Sequence, residues 1–169
     1  HFMNVFSHQT NLETLVLNLV VRPQSHWKPL KKSPEEMKYT ESYDLSRELR
    51  SFSQLKSLRI ESEFMYTLPP LPLLETLVWK LNKPYPTGFL TRLLDLDWST
   101  YFPSLTRVGL FDSSFYDHLS TLKSILPTQL TSLHIIGDGI STDKCSKGFL
   151  LRLKQMTQLT DLNLDYHWA

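Results

Sequence analysis

Asp112, Ser113, Ser114 and His118 bring an acid, two hydroxyls and an imidazole into one short stretch. These are the groups of a nucleophilic hydrolase, in which histidine takes the serine proton and a carboxylate steadies the histidine. That chemistry also needs a strained elbow such as G-x-S-x-G to lift the serine beside an oxyanion hole. No such elbow occurs, and Ser113 and Ser114 read instead as caps for a following helix. Gly137-Asp138-Gly139 lacks the G-x-x-x-x-G-K-[ST] spacing of a phosphate loop and reads as a turn. The 6 histidines are scattered without zinc-finger or H-E-x-x-H spacing, and Cys145 is the only cysteine. No metal and no cofactor is therefore expected. An enzyme is the last-ranked reading.

The signal that remains is a repeat. Leu12-Glu-Thr-Leu15-Val-Leu17 returns as Leu55-Lys-Ser-Leu58-Arg-Ile60 and as Leu74-Glu-Thr-Leu77-Val-Trp79. It returns again as Leu105-Thr-Arg-Val108-Gly-Leu110, Leu130-Thr-Ser-Leu133-His-Ile135 and Leu159-Thr-Asp-Leu162-Asn-Leu164. The last four positions of each unit alternate polar and apolar, the pattern of a half-buried strand. Strands are expected from Thr14 to Val20 or Val21, Ser57 to Ser62, Thr76 to Leu81, Arg107 to Asp112, Ser132 to Gly137, and Asp161 to Asp165. Phe52, Leu71, Phe102, Leu126 and Met156 stand three or four places before their units and read as the packed end of the preceding segment.

The units resemble leucine-rich repeats, whose pattern is L-x-x-L-x-L-x-x-N/C-x-L, and the resemblance covers nearly the whole chain. The departure is at the ninth position, occupied here by Val20, Glu63, Asn82, Ser113, Asp138 and His167, of which only Asn82 matches. The spacing is ragged, from 19 to 43 residues between units. This irregular, asparagine-poor form resembles the repeats of fungal and animal F-box proteins. The resemblance implies an α/β leucine-rich-repeat solenoid. Its parallel concave sheet has about six strands, with helices and extended segments on the convex side. At ordinary strand spacing such a sheet is roughly 24 Å across.

In that arrangement the outward positions line up as ribbons. One is Val16, Arg59, Val78, Gly109, His134 and Asn163; the next is Asn18, Glu61, Lys80, Phe111, Ile136 and Asp165. With Arg107 and Asp161 they mix charge, apolar contact and one aromatic, as protein interfaces do. The expected partner-contacting residues are Arg59, Glu61, Val78, Lys80, Arg107, Phe111, His134, Ile136, Asn163 and Asp165. Phe111 and Ile136 are expected to form an exposed apolar spot at their centre. The alternative is that these residues are simply tolerated on a sheet surface, or covered by another part of the protein.

Residues 1–169 suit one domain, with 41% hydrophobic content and a net charge of +1. That charge argues against a nucleic-acid or membrane surface. No apolar run is long enough to span a membrane. The lone cysteine and the absence of an Asn-x-Ser/Thr sequon point to an intracellular, reducing compartment, cytoplasmic or nuclear. Neither end reads as a capping unit, so the chain is expected to be a piece of a longer array.

The connectors vary. Residues 2–7 read as a helix tail. Residues 22–43, with three prolines and four lysines, read as a long loop insertion. It is either a partner-contacting or Ser33-Pro34-phosphorylated arm, or a solvated insertion. A helix is expected over Asp44–Phe52, capped by Asp44, with Leu45, Leu49 and Phe52 inward. Pro69, Pro70 and Pro72 exclude a helix in the next connector. Further helices are expected from Gly88 to Trp98, after a Thr87 cap, and from Phe115 to Leu126. The last runs from Lys147 to Met156, with Phe149, Leu150, Leu153 and Met156 inward.

The expected function is protein–protein interaction on the concave face. Within the family resemblance, it is the substrate-recognition part of an F-box ubiquitin-ligase receptor. A structural scaffold segment of a permanent protein complex is the alternative.

Overall fold

The computed structural model describes residues 11–19, 43–62, 66–81, 97–111, 122, 126–138 and 147–167. Six strands form one open sheet: β1 (Thr14–Leu19), β3 (Ser57–Ser62), β5 (Thr76–Leu81), β6 (Arg107–Phe111), β7 (Ser132–Asp138) and β8 (Asp161–His167). They lie side by side in chain order and every pairing is parallel. Two short strands, β2 (Tyr43–Asp44) and β4 (Tyr66–Thr67), pair separately. The helices are α1 (Ser46–Leu49), α2 (Trp98–Tyr101) and α3 (Lys147–Gln155). The chain is thus α/β, with a six-stranded parallel sheet and few helices among the described residues.

Alternation in each unit decides which face is buried. Leu15, Leu58, Leu77, Val108 and Leu133 occupy one register row and are all buried. Leu17, Ile60, Trp79, Leu110 and Ile135 form the next row, also buried. Phe52, Leu71, Phe102, Leu126 and Met156 pack into the same core from the connectors, joined by Leu49, Trp98 and Phe149. Trp98 and Phe102 meet edge to face, with centroids 6.0 Å apart. The indole N–H of Trp79 is buried without a hydrogen-bond acceptor among the described residues.

Turns feed the strands in a repeated way. The amide of the first Leu of a unit donates to the apolar residue three places earlier: Leu55 to Phe52, Leu74 to Leu71, Leu105 to Phe102, and Leu159 to Met156. Main-chain carbonyls then tie each unit to the next. Glu13 O accepts from Lys56 N and Ser57 N, and Lys56 O from Glu75 N and Thr76 N. Glu75 O accepts from Thr106 N and Arg107 N, and Thr106 O from Thr131 N and Ser132 N. Thr131 O completes the series with Thr160 N and Asp161 N. The hydroxyls of Thr106, Thr131 and Thr160 reach the same carbonyls at 3.2–3.3 Å.

The connectors depart from expectation in four places. Asp44 lies in β2, not at a helix cap; the single-turn helix α1 starts after Leu45, which makes no side-chain cap bond. Pairing with β4 takes the backbone there, since Leu45 N donates to Thr67 O at 3.1 Å. Leu45, Leu49 and Phe52 are nonetheless buried as the apolar spacing requires. Second, Gly137 and Asp138 extend β7 by pairing with Tyr166 and His167, so the turn does not begin at Gly137. Third, Leu150 is 48% exposed, although Phe149 and Met156 are buried. On a helix Phe149, Leu153 and Met156 fall on one face, and Leu150 is rotated about 100° from Phe149.

The connector with Pro69, Pro70 and Pro72 has no helix among its described residues: Tyr66–Thr67 is a strand and Pro72–Leu73 a turn. Fourth, Trp98 begins a helical turn instead of ending one. Asp97 caps it, accepting from Ser99 N at 3.0 Å and Thr100 Oγ1 at 2.7 Å. Residues 2–7, the insertion up to residue 42, Thr87 to Leu96, and most of the expected Phe115–Leu126 helix lie outside the described residues. So do Val20, Glu63, Asn82 and Ser113, four of the ninth-position residues.

Candidate interaction surface

The face of the sheet turned away from the core carries the polar side of each alternation. Its first row is Thr14, Ser57, Thr76, Arg107, Ser132 and Asp161. The second is Val16, Arg59, Val78, Gly109, His134 and Asn163, in unbroken register. The third is Asn18, Glu61, Lys80, Phe111, Ile136 and Asp165. All ten residues expected to contact a partner therefore lie on this one face. Arg59 and Arg107 are exposed, and the other eight are partly buried.

The charges are mostly matched across strands. Lys80 Nζ sits 2.8 Å from Glu61 Oε1, between β5 and β3. His134 Nε2 sits 2.7 Å from Asp161 Oδ2, between β7 and β8. Ser132 Oγ donates to the same Asp161 oxygen at 2.9 Å. The hydrogen bond from His134, and then that from Ser132, hold the Asp161 carboxyl below its ordinary pKa. Serine, histidine and aspartate are all present here, but the serine hydroxyl is bonded to the carboxylate. An activated nucleophile would instead be bonded to the imidazole. At the head of the strands, Glu13 pairs with Lys56 at 2.9 Å, which raises the Lys56 pKa.

Val78, Gly109 and Phe111 make the centre of the face apolar. A Cβ built on Gly109 would meet Phe111 Cε2 at 2.8 Å and Val78 Cγ2 at 3.5 Å. The Phe111 ring thus folds back over the glycine, beside Val78. This corrects the expectation of an exposed Phe111–Ile136 spot. The two are register neighbours, but Phe111 shields part of its surface on the Gly109 backbone.

No protein-family model, curated protein or solved structure matches the chain.

Asp161 and Ser132 were not among the expected contact residues, although Asp161 hydrogen-bonds both His134 and Ser132. Their spacing could have found them: aligning the repeat units puts Asp161 beside Ser132, one alternate position from His134. Val16 is the most exposed large apolar side chain of the face, at 62%. Asp112, Ser113, Ser114 and His118 lie outside the described residues. Among the described residues no group of three or more His, Cys, Asp or Glu gathers as a metal site. No helix among them is long and apolar enough to cross a membrane.

Proposed function

We propose that the chain is a leucine-rich-repeat protein-interaction domain that binds another protein, or a peptide segment of one, on the exposed face of its sheet. The observation that carries this reading is the unbroken register of Val16, Arg59, Val78, Gly109, His134 and Asn163. Six units of one design present their variable side chains in a single plane. Variable side chains on a regular backbone suit recognition of a partner. The mixture of arginine, aromatic and paired charge supports a protein partner. By resemblance to F-box repeat proteins, the setting we propose is the substrate-recognition part of a ubiquitin-ligase receptor.

A second reading, a scaffold segment held in a permanent complex, is favoured by Leu150, Leu151 and Leu162. Leu150 and Leu151 on α3 and Leu162 on β8 are exposed, at 48%, 59% and 46%.

The first reading is tested by affinity capture with the wild-type chain and with Phe111→Glu/Arg59→Glu. The double variant is expected to keep the wild-type circular dichroism spectrum and lose the captured partners. A folded double variant that retains every partner removes this face as the binding site.

A further inference from the structure

The charge pattern of the face selects among partners, and the selection rests on the interaction reading just given. Arg59 on β3 and Arg107 on β6 are exposed, and neither closes an ion pair among the described residues. The lysines of the sheet face and its strand heads are matched, Lys80 with Glu61 and Lys56 with Glu13, and the His134 ring is bonded to Asp161. The two arginines flank β5. Arg59 is level with Val78, and Arg107 is level with Thr76, two residues earlier on the same strand. Ordinary strand spacing and rise put their Cα atoms about 12 Å apart, diagonally across β5. Val78 and the ring of Phe111 over Gly109 lie beside that diagonal.

An extended chain matches this spacing. Side chains at i, i+2 and i+4 point the same way, and i to i+4 spans about 13 Å. We propose that the face takes an extended peptide segment in which an apolar residue is flanked, two positions away on each side, by acidic residues. The two carboxylates reach Arg59 and Arg107, whose planar guanidinium forks suit bidentate carboxylate pairing. The apolar residue between them rests on Val78 and Phe111. A nucleic acid would also be drawn to two arginines. However, Glu61, Asp161 and Asp165 on the same face oppose a continuous phosphate backbone.

The probes are three fluorescein-labelled peptides, read by anisotropy on the whole chain. The first is Gly-Ser-Glu-Thr-Leu-Thr-Glu-Ser-Gly; the second replaces both glutamates by lysine; the third replaces the leucine by serine. Wild type is expected to bind the acidic peptide about tenfold tighter than the lysine peptide at low salt. The serine peptide is expected to bind several-fold more weakly than the first. Arg59→Glu/Arg107→Glu is expected to reverse the charge preference; if that variant does not fold, Arg59→Gln and Arg107→Gln singly are each expected to weaken acidic binding. No saturable binding of the acidic peptide up to about 1 mM overturns the proposal. Equal binding of the acidic and lysine peptides also overturns it, as does tighter retention of a single-stranded oligonucleotide. Selection of a random nine-residue library on wild type separates the two readings. Enriched peptides that lack the acidic pair, yet are lost on Phe111→Glu, overturn the charge pattern and leave the interaction face standing. Enriched peptides that persist on Phe111→Glu/Arg59→Glu remove both.

Discussion

The side chain of Phe111 fills the space that a methyl group on Gly109 would occupy, with only 2.8 Å between its Cε2 and an ideal Cβ. The ring is the far end of a rotatable side chain, so it can yield. Gly109→Ala is therefore expected to displace the ring and change stability by no more than about 1 kcal/mol, since the alanine also restricts the unfolded chain. The two positions are coupled. A double-mutant cycle of Gly109→Ala and Phe111→Ala, read by urea unfolding, is expected to give an interaction energy of about 0.5–1 kcal/mol. Strict additivity would mean that the ring does not rest on Gly109 in solution.

Leu77 and Leu162 occupy the same register row, but Leu77 is fully buried and Leu162 is 46% exposed. Leu77→Ala removes a closely packed side chain and is expected to cost about 2–5 kcal/mol. Leu162→Ala gives up only part of a leucine's transfer energy, about 1 kcal/mol. Denaturant midpoints of the two variants check the difference, and equal losses would show that the β8 side is covered in solution.

Asp161 supplies a pH test. Its carboxyl titrates below the ordinary range because His134, and then Ser132, hydrogen-bond to it. A folded-state pKa below the unfolded value contributes stability above the ordinary carboxylate range. That contribution is lost as pH falls through the lowered value. Carbon-detected NMR titration is expected to find Asp161 below a normal aspartate, with His134→Ala raising it more than Ser132→Ala. A normal value in wild type would remove the cross-strand contact.

How far the sequence carried can be judged from particular residues. The row from Val16 to Asn163 was legible because each unit repeats the same alternation, and parallel strands of equal design align in step. The connectors were less legible. Asp44 has the chemistry of a helix cap, but a nonlocal pairing, Asp44 with Thr67, claimed it for a strand. Leu150 looked internal because the apolar run Phe149-Leu150-Leu151 has no helical period of its own. On the face, residue types were readable but side-chain directions were not. Nothing in the order Val-Gly-Leu-Phe shows that Phe111 turns back onto Gly109.

The apolar stretch before Asp97 suggests a helix already under way, whereas the Asp97 backbone is extended and its side chain caps a new turn. Its carboxyl is lowered first by the Thr100 hydroxyl, with Ser99 and Thr100 amides adding to it. Asp97→Ala is expected to lower the melting temperature, and Asp97→Asn, which keeps an acceptor, to lower it less. Thermal unfolding by circular dichroism distinguishes them; equal losses would assign the effect to charge alone.

The five doubly accepting carbonyls, from Glu13 to Thr131, belong to residues with little in common: two glutamates, a lysine and two threonines. Strand alignment is thus written in main-chain atoms, to which side-chain identity is largely irrelevant. Proline is the exception at Lys56, Ser57, Glu75 or Thr76, because it would delete a donor that two neighbouring units share.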